Sequence, residues 1–177
     1  MKQILIVGRG GQGVVTAAEL IAVAAFEDGK NAKAIPKFGP ERRGAPVQAS
    51  VKIDGKEIRE YTHVDKPDFI LVFEEDLLTE DLLKKFDFGQ EMIFVVNSQK
   101  EFKSEERRKY FSVDADDIAR KHLGAPIVNT TMLGAFAKAS GLISLESVKK
   151  AVVERFGAAG EKNNLAVEEA YGGVKEW

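Results

Sequence analysis

The 177-residue chain contains no cysteine. This absence excludes a disulfide, a thiolate nucleophile and a cysteine-ligated iron–sulfur cluster from the polypeptide. Only two histidines are present, His63 and His122, and their wide separation in the sequence argues against a zinc site. We therefore predict neither catalytic residues nor a metal site on this chain, and any redox chemistry needs a bound cofactor or another subunit.

The sequence also lacks a long apolar run and a large excess of charge of either sign. Its apolar stretches fall far short of the roughly 20 residues that a membrane-spanning helix needs. The net charge of −2 provides no general attraction to nucleic acid or to a membrane surface. The first residues lead directly into a strand pattern, without the apolar region of a signal peptide. We accordingly expect a cytoplasmic protein with neither a nucleic-acid nor a membrane partner.

Strand and helix patterns alternate along the whole chain. Short apolar runs such as residues 4–7, which are typical of buried parallel strands, are separated by segments of helical periodicity. The pair Asp54-Gly55 is a type I′ turn signal and predicts a hairpin in which residues 57–61 return beside the preceding strand. We predict a single α/β domain over residues 1–177, with three layers and a mostly parallel, Rossmann-like sheet plus that β-hairpin.

The loop between the first strand and the first helix is rich in glycine. Gly8, Gly10 and Gly13 match the G-x-G-x-x-G spacing of dinucleotide-binding folds. Such a turn brings backbone N–H groups close to a phosphate, with the positive end of a helix dipole behind them. We therefore predict that a phosphate group binds at Gly10, Gly11, Gln12 and Gly13.

The second strand does not carry the acidic residue that binds ribose hydroxyls in a nicotinamide-binding unit. Its end is basic instead, and the loop that follows contains Arg42 and Arg43. An arginine binds a phosphate through two parallel hydrogen bonds, and Lys37 adds a point charge. These residues favour a ligand with more phosphate charge than NAD, such as NADP, coenzyme A or another phosphorylated nucleotide. Alternatively, the glycines only form a tight turn and the arginines pair with carboxylates of a partner subunit.

Other polar residues have simpler interpretations. The acidic run Glu74-Glu75-Asp76 is interpreted as a solvated helix start rather than a metal site, because acidic residues are favoured there. His63 is interpreted as a surface or interface residue, and His122 as a residue near a helix carboxyl terminus with a local role. None of these residues therefore adds a candidate catalytic site.

Several segments, taken in order, carry a resemblance to a known family. The glycine loop at residues 8–13 is followed by Phe-Gly-Pro-Glu-Arg-Arg-Gly-Ala-Pro at 38–46, by Asn-Thr-Thr-Met-Leu-Gly-Ala at 129–135 and by Glu-Lys-Asn at 161–163. This ordered set resembles the gamma subunits of the 2-oxoacid:ferredoxin oxidoreductases, most closely those of pyruvate:ferredoxin oxidoreductase (pyruvate synthase). The resemblance covers essentially the whole chain.

The resemblance implies a subunit of a multisubunit enzyme of anaerobic metabolism. Such an enzyme decarboxylates pyruvate or another 2-oxoacid, reduces ferredoxin and transfers the acyl group to coenzyme A. In that family thiamine diphosphate lies between the alpha and beta subunits, and the iron–sulfur clusters lie in beta and delta. The gamma subunit holds part of coenzyme A. Because thiamine diphosphate and the clusters lie on other chains, the isolated chain is expected to be inactive.

The family's binding residues are carried over by position. Residues 10–13 would lie against the coenzyme A nucleotide, and Arg42 and Arg43 would face its phosphates, with Lys37 as a neighbour. Asn129 and Thr130 match a family motif to which we assign a positioning or structural role.

Two alternative functions remain open. The first is a free-standing NADP-dependent oxidoreductase, in which Lys37 and Arg42 bind the 2′-phosphate. The second is a purely structural interface subunit of the same complex, in which both loops are buried against the alpha and beta subunits. The first alternative predicts that the isolated chain binds a nicotinamide nucleotide, whereas the second predicts that it binds no small molecule.

Overall fold

The structure is a computed structural model that describes residues 1–37, 45–86 and 91–177. Short 3₁₀ turns occupy Glu75–Leu77 and Gly157–Ala159. In chain order the strands and helices are β1 (Lys2–Arg9), α1 (Val14–Glu27), β2 (Asn31–Pro36), β3 (Pro46–Asp54), β4 (Phe69–Val72), α2 (Glu80–Lys85), β5 (Met92–Asn97), β6 (Arg108–Val113), α3 (Ala115–Leu123), α4 (Val128–Ser140), α5 (Leu145–Phe156), α6 (Gly160–Gly173) and β7 (Lys175–Glu176).

All seven strands form one sheet in the order β2-β3-β1-β4-β5-β6-β7. The four strands β1, β4, β5 and β6 run parallel to one another, whereas β2, β3 and β7 pair antiparallel with their neighbours. The predicted α/β fold is therefore confirmed, although the sheet is mixed rather than mostly parallel. The carboxyl ends of the four parallel strands meet at one edge of the sheet, where ligands bind in open α/β sheets.

The hairpin predicted at Asp54-Gly55 does not form. Residues 57–61 are not a strand, and β3 pairs instead with β2 on one side and β1 on the other. Both edges of β3 are thus occupied, so no position remains for a returning strand. The local turn signal still has an effect, because Asp54 Oδ1 accepts a hydrogen bond from the Lys56 N–H at 3.0 Å. The strand that lies next to β3 in the sequence and pairs antiparallel with it is β2, which precedes it, rather than a strand that follows it.

The two faces of the sheet are covered unequally. Helices α1, α3, α4, α5 and α6 supply apolar residues to the larger cluster on one face, which includes Ile6, Leu71 and Phe136. The other face carries a smaller cluster around Val7 and Phe94, packed against residues 77–86 and a few aromatic side chains. The six-residue α2 is the only helix among the described residues on this second face, so part of the sheet there lacks a helical layer.

Several helix ends follow from local sequence signals. Asp114 and Ser144 accept hydrogen bonds from the backbone N–H groups of Asp117 at 3.0 Å and Ser147 at 3.1 Å, and they cap the starts of α3 and α5. Helix α4 begins at Val128, so Asn129 belongs to its first turn. Within the described ranges, no helix combines the length and the apolar character needed to cross a bilayer.

Candidate functional site

The glycine-rich turn lies at the carboxyl end of β1, where the chain enters α1. Gly13 precedes α1 with a left-handed backbone conformation (φ 76°), which glycine adopts without the steric cost of a side chain. Gly8 packs closely against α1, because an added Cβ would come within 2.5 Å of Val14 Cγ2. Glycine at these two positions is therefore required by the geometry of the turn itself.

Three groups of Gln12 form hydrogen bonds in the turn. Its Oε1 accepts a hydrogen bond from the Arg9 N–H at 2.7 Å, and its Nε2 donates to Glu74 at 2.5 Å. Its own backbone N–H donates to the Arg9 carbonyl at 3.1 Å. The structure thus places this predicted site residue in the turn, where it ties β1 to the end of β4.

Two N–H groups of the turn are available to a ligand. The Gly10 N–H donates to the Ala45 carbonyl at 2.8 Å, whereas those of Gly11 and Gly13 hydrogen-bond to no described group. The first turn of α1 adds N–H groups that lack intrahelical partners. This helix start has no side-chain cap and no acidic residue. Such an arrangement of N–H groups and helix dipole suits an anion.

Acidic side chains at the end of β4 lie beside the turn. Arg9 Nε donates to Glu74 Oε2 at 2.6 Å, and Arg9 Nη2 contacts Asp76. The hydrogen bonds that Arg9 donates, to Glu74 first and to Asp76 second, raise the pKa of Arg9. The hydrogen bond that Lys100 donates lowers the pKa of Glu75. Glu74, Glu75 and Asp76 therefore each have a cationic partner, and the Arg9 guanidinium is bonded to two of these carboxylates.

No metal-binding arrangement accompanies these carboxylates. Within residues 1–37, 45–86 and 91–177, no three histidine, aspartate or glutamate side chains converge as ligands for an ion. The acidic run that we interpreted as a helix start lies in a 3₁₀ turn, and α2 begins only at Glu80.

Lys37 and Ala45 lie at the same end of the sheet. The Lys37 N–H donates to the Gln48 carbonyl at 3.2 Å, and Ala45 bonds to Gly10 as described above. Arg42 and Arg43 lie outside the described residues. The described residues that flank them in the chain, Lys37 and Ala45, are both hydrogen-bonded at the end of the sheet that carries the glycine turn.

A groove lies next to the turn, on the less covered face of the sheet. It consists of two adjoining cavities of about 330 and 280 Å³, which share Gln48 and Lys85 as lining residues. Gly8 lines the cavity nearer the turn, and Lys37 lines the other. We call the two cavities together the β1–β3 groove. Sequence reasoning missed this groove, because its walls come from segments that are far apart in the chain.

The Asn129-Thr130 motif has a structural place behind the turn. An added Cβ at Gly13 would come within 2.4 Å of Asn129 Nδ2, so the two residues are in close contact. Thr130 is fully buried and its Oγ1 bonds to Asn163 Oδ1 at 2.7 Å, which joins α4 to α6. The positioning role assigned to Asn129 and Thr130 is consistent with these contacts.

The two histidines lie in different environments. His63 lines the β1–β3 groove and is exposed. His122 lies in the last turn of α3, and its Nε2 is 2.6 Å from Glu169 Oε2 on α6. His122 therefore has a local structural contact, whereas His63 lies beside the candidate site.

Known proteins of similar sequence cover nearly the full chain. Pyruvate synthase subunit PorC of Methanothermobacter marburgensis is 46% identical over 170 residues, which are 95% of this chain and 94% of that protein. The common subunit gamma of the pyruvate/ketoisovalerate oxidoreductases of Thermococcus kodakarensis is 49% identical over 172 residues, which are 93% of this chain and 92% of that protein.

A solved structure has the same fold. The pyruvate oxidoreductase subunit PORC of Thermotoga maritima superposes with a TM-score of 0.85 at 34% identity, covering 99% of this chain and 97% of that one. A family model described as pyruvate ferredoxin/flavodoxin oxidoreductase matches residues 3–173. The resemblance predicted from the ordered motifs is thus confirmed: this chain belongs to the pyruvate ferredoxin/flavodoxin oxidoreductase family, in which it is similar to the gamma (PorC) subunits.

Proposed function

We propose that this chain is the gamma subunit of a pyruvate (2-oxoacid):ferredoxin oxidoreductase and contributes to coenzyme A binding in that complex. The complex converts pyruvate to acetyl-coenzyme A, with reduction of ferredoxin. Its partners are the alpha, beta and delta subunits, and thiamine diphosphate and the iron–sulfur clusters reside on those chains. The cysteine-free sequence fits this division, since no thiolate is present here to hold a cluster.

One observation carries the coenzyme A proposal. The N–H groups of Gly11 and Gly13, at the start of α1, bond to no other described residue, and Lys37 and Ala45, which flank the arginine segment in the chain, lie at the same end of the sheet. A diphosphate bound there would receive backbone hydrogen bonds together with the charges of Arg42 and Arg43. The chain's contribution is to orient the ligand so that its thiol reaches an active site on other subunits.

The test replaces Arg42 and Arg43 by alanine in the assembled complex. Charge-assisted hydrogen bonds are worth about 1.5–3 kcal/mol each, so we expect the KM for coenzyme A to rise at least about tenfold. The KM for pyruvate should stay unchanged. The matched control replaces Lys56 and Arg59, which are exposed beyond the opposite end of β3, and it should leave both values unchanged.

Three results would contradict the proposal. An unchanged KM for coenzyme A in the assembled double variant would overturn the phosphate-binding role of the arginines, and a double variant that no longer assembles would favour the purely structural subunit. Binding of NADP to the isolated chain in a calorimetric titration would favour the free-standing oxidoreductase.

A further inference from the structure

The β1–β3 groove has mostly apolar walls. Leu5 and Val7 form its floor on β1, and Leu82 and Phe86 come from the segment that packs over the sheet. Binding sites for small molecules are typically apolar clefts with a few polar groups that set the ligand's orientation. The groove has this composition, and it is formed where the second face of the sheet lacks a helical layer.

A row of polar side chains on β3 faces the same side of the sheet. Ser50 Oγ accepts a hydrogen bond from the Val64 N–H at 3.2 Å. Lys52 Nζ donates to Glu60 at 2.9 Å and to Thr62 at 3.1 Å. Both side chains are thus satisfied by the segment that crosses over them.

Gln48, the third member of this row, differs from the other two. It pairs with Val7 in the β1–β3 ladder, so its side chain lies on the groove face, and it lines both cavities. Its carboxamide forms no hydrogen bond within the described part of the chain. A carboxamide offers both a donor and an acceptor, which is the complement of another amide.

The charged groups at the groove indicate how a ligand would lie. Lys85 lines both cavities, Lys37 and Asp65 line one of them and Asp81 lines the other, so the groove carries charges of both signs. The cavity nearer the turn reaches Gly8, three residues before Gly11, whose N–H bonds to no described group. Anionic groups are therefore favoured at the turn, and an uncharged chain with amide groups is favoured along the groove.

We propose that the β1–β3 groove binds an uncharged, amide-bearing chain attached to the phosphates at the glycine turn, with the Gln48 carboxamide as its hydrogen-bonding partner. This inference rests on the proposed function, in which that chain is the pantetheine arm of coenzyme A. Gln48 is then a specificity-determining residue for the part of the ligand that the phosphate site does not contact.

The test compares two ligands by calorimetry on the assembled complex. Coenzyme A carries the pantetheine arm, whereas 3′-phospho-ADP carries the same phosphates without it. In Gln48→Leu we expect the dissociation constant of coenzyme A to rise about threefold to tenfold, as for the loss of one neutral hydrogen bond. The affinity for 3′-phospho-ADP should not change. Gln48→Glu keeps the side-chain length but adds a negative charge, and it should weaken coenzyme A binding further.

A matched control is available on the same face of the sheet. Gln3 lies on β1, opposite Lys52, and lines neither cavity of the groove. Gln3→Leu should therefore change neither dissociation constant.

Three outcomes separate this inference from the proposed function. Unchanged coenzyme A affinity in Gln48→Leu, or equal losses for both ligands, would overturn the groove inference alone. Impaired assembly with unchanged coenzyme A affinity would also overturn it, because a partner segment would then fill the groove. If the wild-type complex bound neither ligand, the proposed function would fall, and the groove inference with it.

Discussion

Asn129 lies directly against the backbone of Gly13, so closely that a methyl group at position 13 would approach Asn129 Nδ2 to 2.4 Å. This contact joins the glycine turn at the start of α1 to the first turn of α4. The turn is therefore supported from behind by a buried side chain, and its conformation depends on a residue more than a hundred positions away in the chain.

Gly13→Ala tests this contact. The variant must adopt a left-handed backbone conformation, which costs about 1–2 kcal/mol, and it must also displace Asn129. Gly29→Ala is the matched control, because Gly29 has a similar φ of 74° but no heavy atom within 4 Å of an added Cβ. In urea denaturation Gly13→Ala should lose more free energy of unfolding than Gly29→Ala. Equal losses would show that the contact with Asn129 has no energetic consequence.

Gly134 allows α4 and α6 to approach each other closely. An added Cβ would lie 2.0 Å from the Val167 carbonyl oxygen, and the α6 backbone cannot move away independently of its packing. We expect Gly134→Ala to destabilise the protein by about 3 kcal/mol, at the upper end of the usual range for overpacking. Gly172→Ala, on α6 with open space around the added Cβ, should instead stabilise the chain by up to about 1 kcal/mol. Thermal denaturation distinguishes the expected destabilisation of Gly134→Ala from the expected stabilisation of Gly172→Ala. A stabilised Gly134→Ala variant would refute the packing argument.

Lys52 has a fully buried side chain whose ammonium group bonds to Glu60 and Thr62. Glu60→Leu leaves that charge with a hydroxyl partner alone, so we expect a loss of about 1–3 kcal/mol in the free energy of unfolding. Lys52→Met removes the buried charge itself and should cost less, since apolar replacement of buried charges is often nearly neutral. Chemical denaturation of both variants gives the ranking, and a larger loss for Lys52→Met would contradict the prediction.

Glu169 joins α6 to α3 through Lys121 Nζ at 2.7 Å and His122 Nε2 at 2.6 Å. Hydrogen bonds from Lys121 and then His122 lower the pKa of Glu169 below its ordinary value of 4.5. The carboxylate's contribution to stability is therefore complete above that ordinary value and is lost as the pH falls through the lower value of the folded state. Glu169→Gln should accordingly be less stable than the wild type near pH 7. This difference should shrink as the pH is lowered towards 3, and a difference independent of pH would contradict the assignment.

Local sequence signals predicted the parts of the fold that depend on neighbouring residues. The glycine turn was predicted because the spacing of its glycines between a strand and a helix sets its tight backbone conformation, whereas its support by Asn129 was not predicted. The hairpin at Asp54-Gly55 was wrong although its turn signal is strong, because strand pairing is decided by competition among distant segments. Strands β1 and β2 occupy the two edges of β3, so residues 57–61 cross the sheet without pairing.

In the candidate site too, features that depend on neighbouring residues were predictable, and features that depend on distant contacts were not. Its glycines and Lys37 were chosen from their spacing and charge, and ligand binding by them remains a prediction, as it does for Arg42 and Arg43. The role of Gln12 inside the turn was not predictable, because its partner Glu74 is 62 positions away. Gln48 gave no signal in the sequence, since one glutamine in a strand pattern resembles any other.

The sequence by itself determined the α/β class and the place of the glycine turn, because these depend on periodicity and short-range spacing, and its ordered motifs carried the resemblance to the family that similar proteins confirm. Only the tertiary structure decided which strands flank β3, which N–H groups of the turn have partners among the described residues, and that a groove lined by the Gln48 side chain lies beside Gly8. Those features arise where segments remote in sequence meet, and hydrogen bonding and packing between such segments leave no local pattern in the chain.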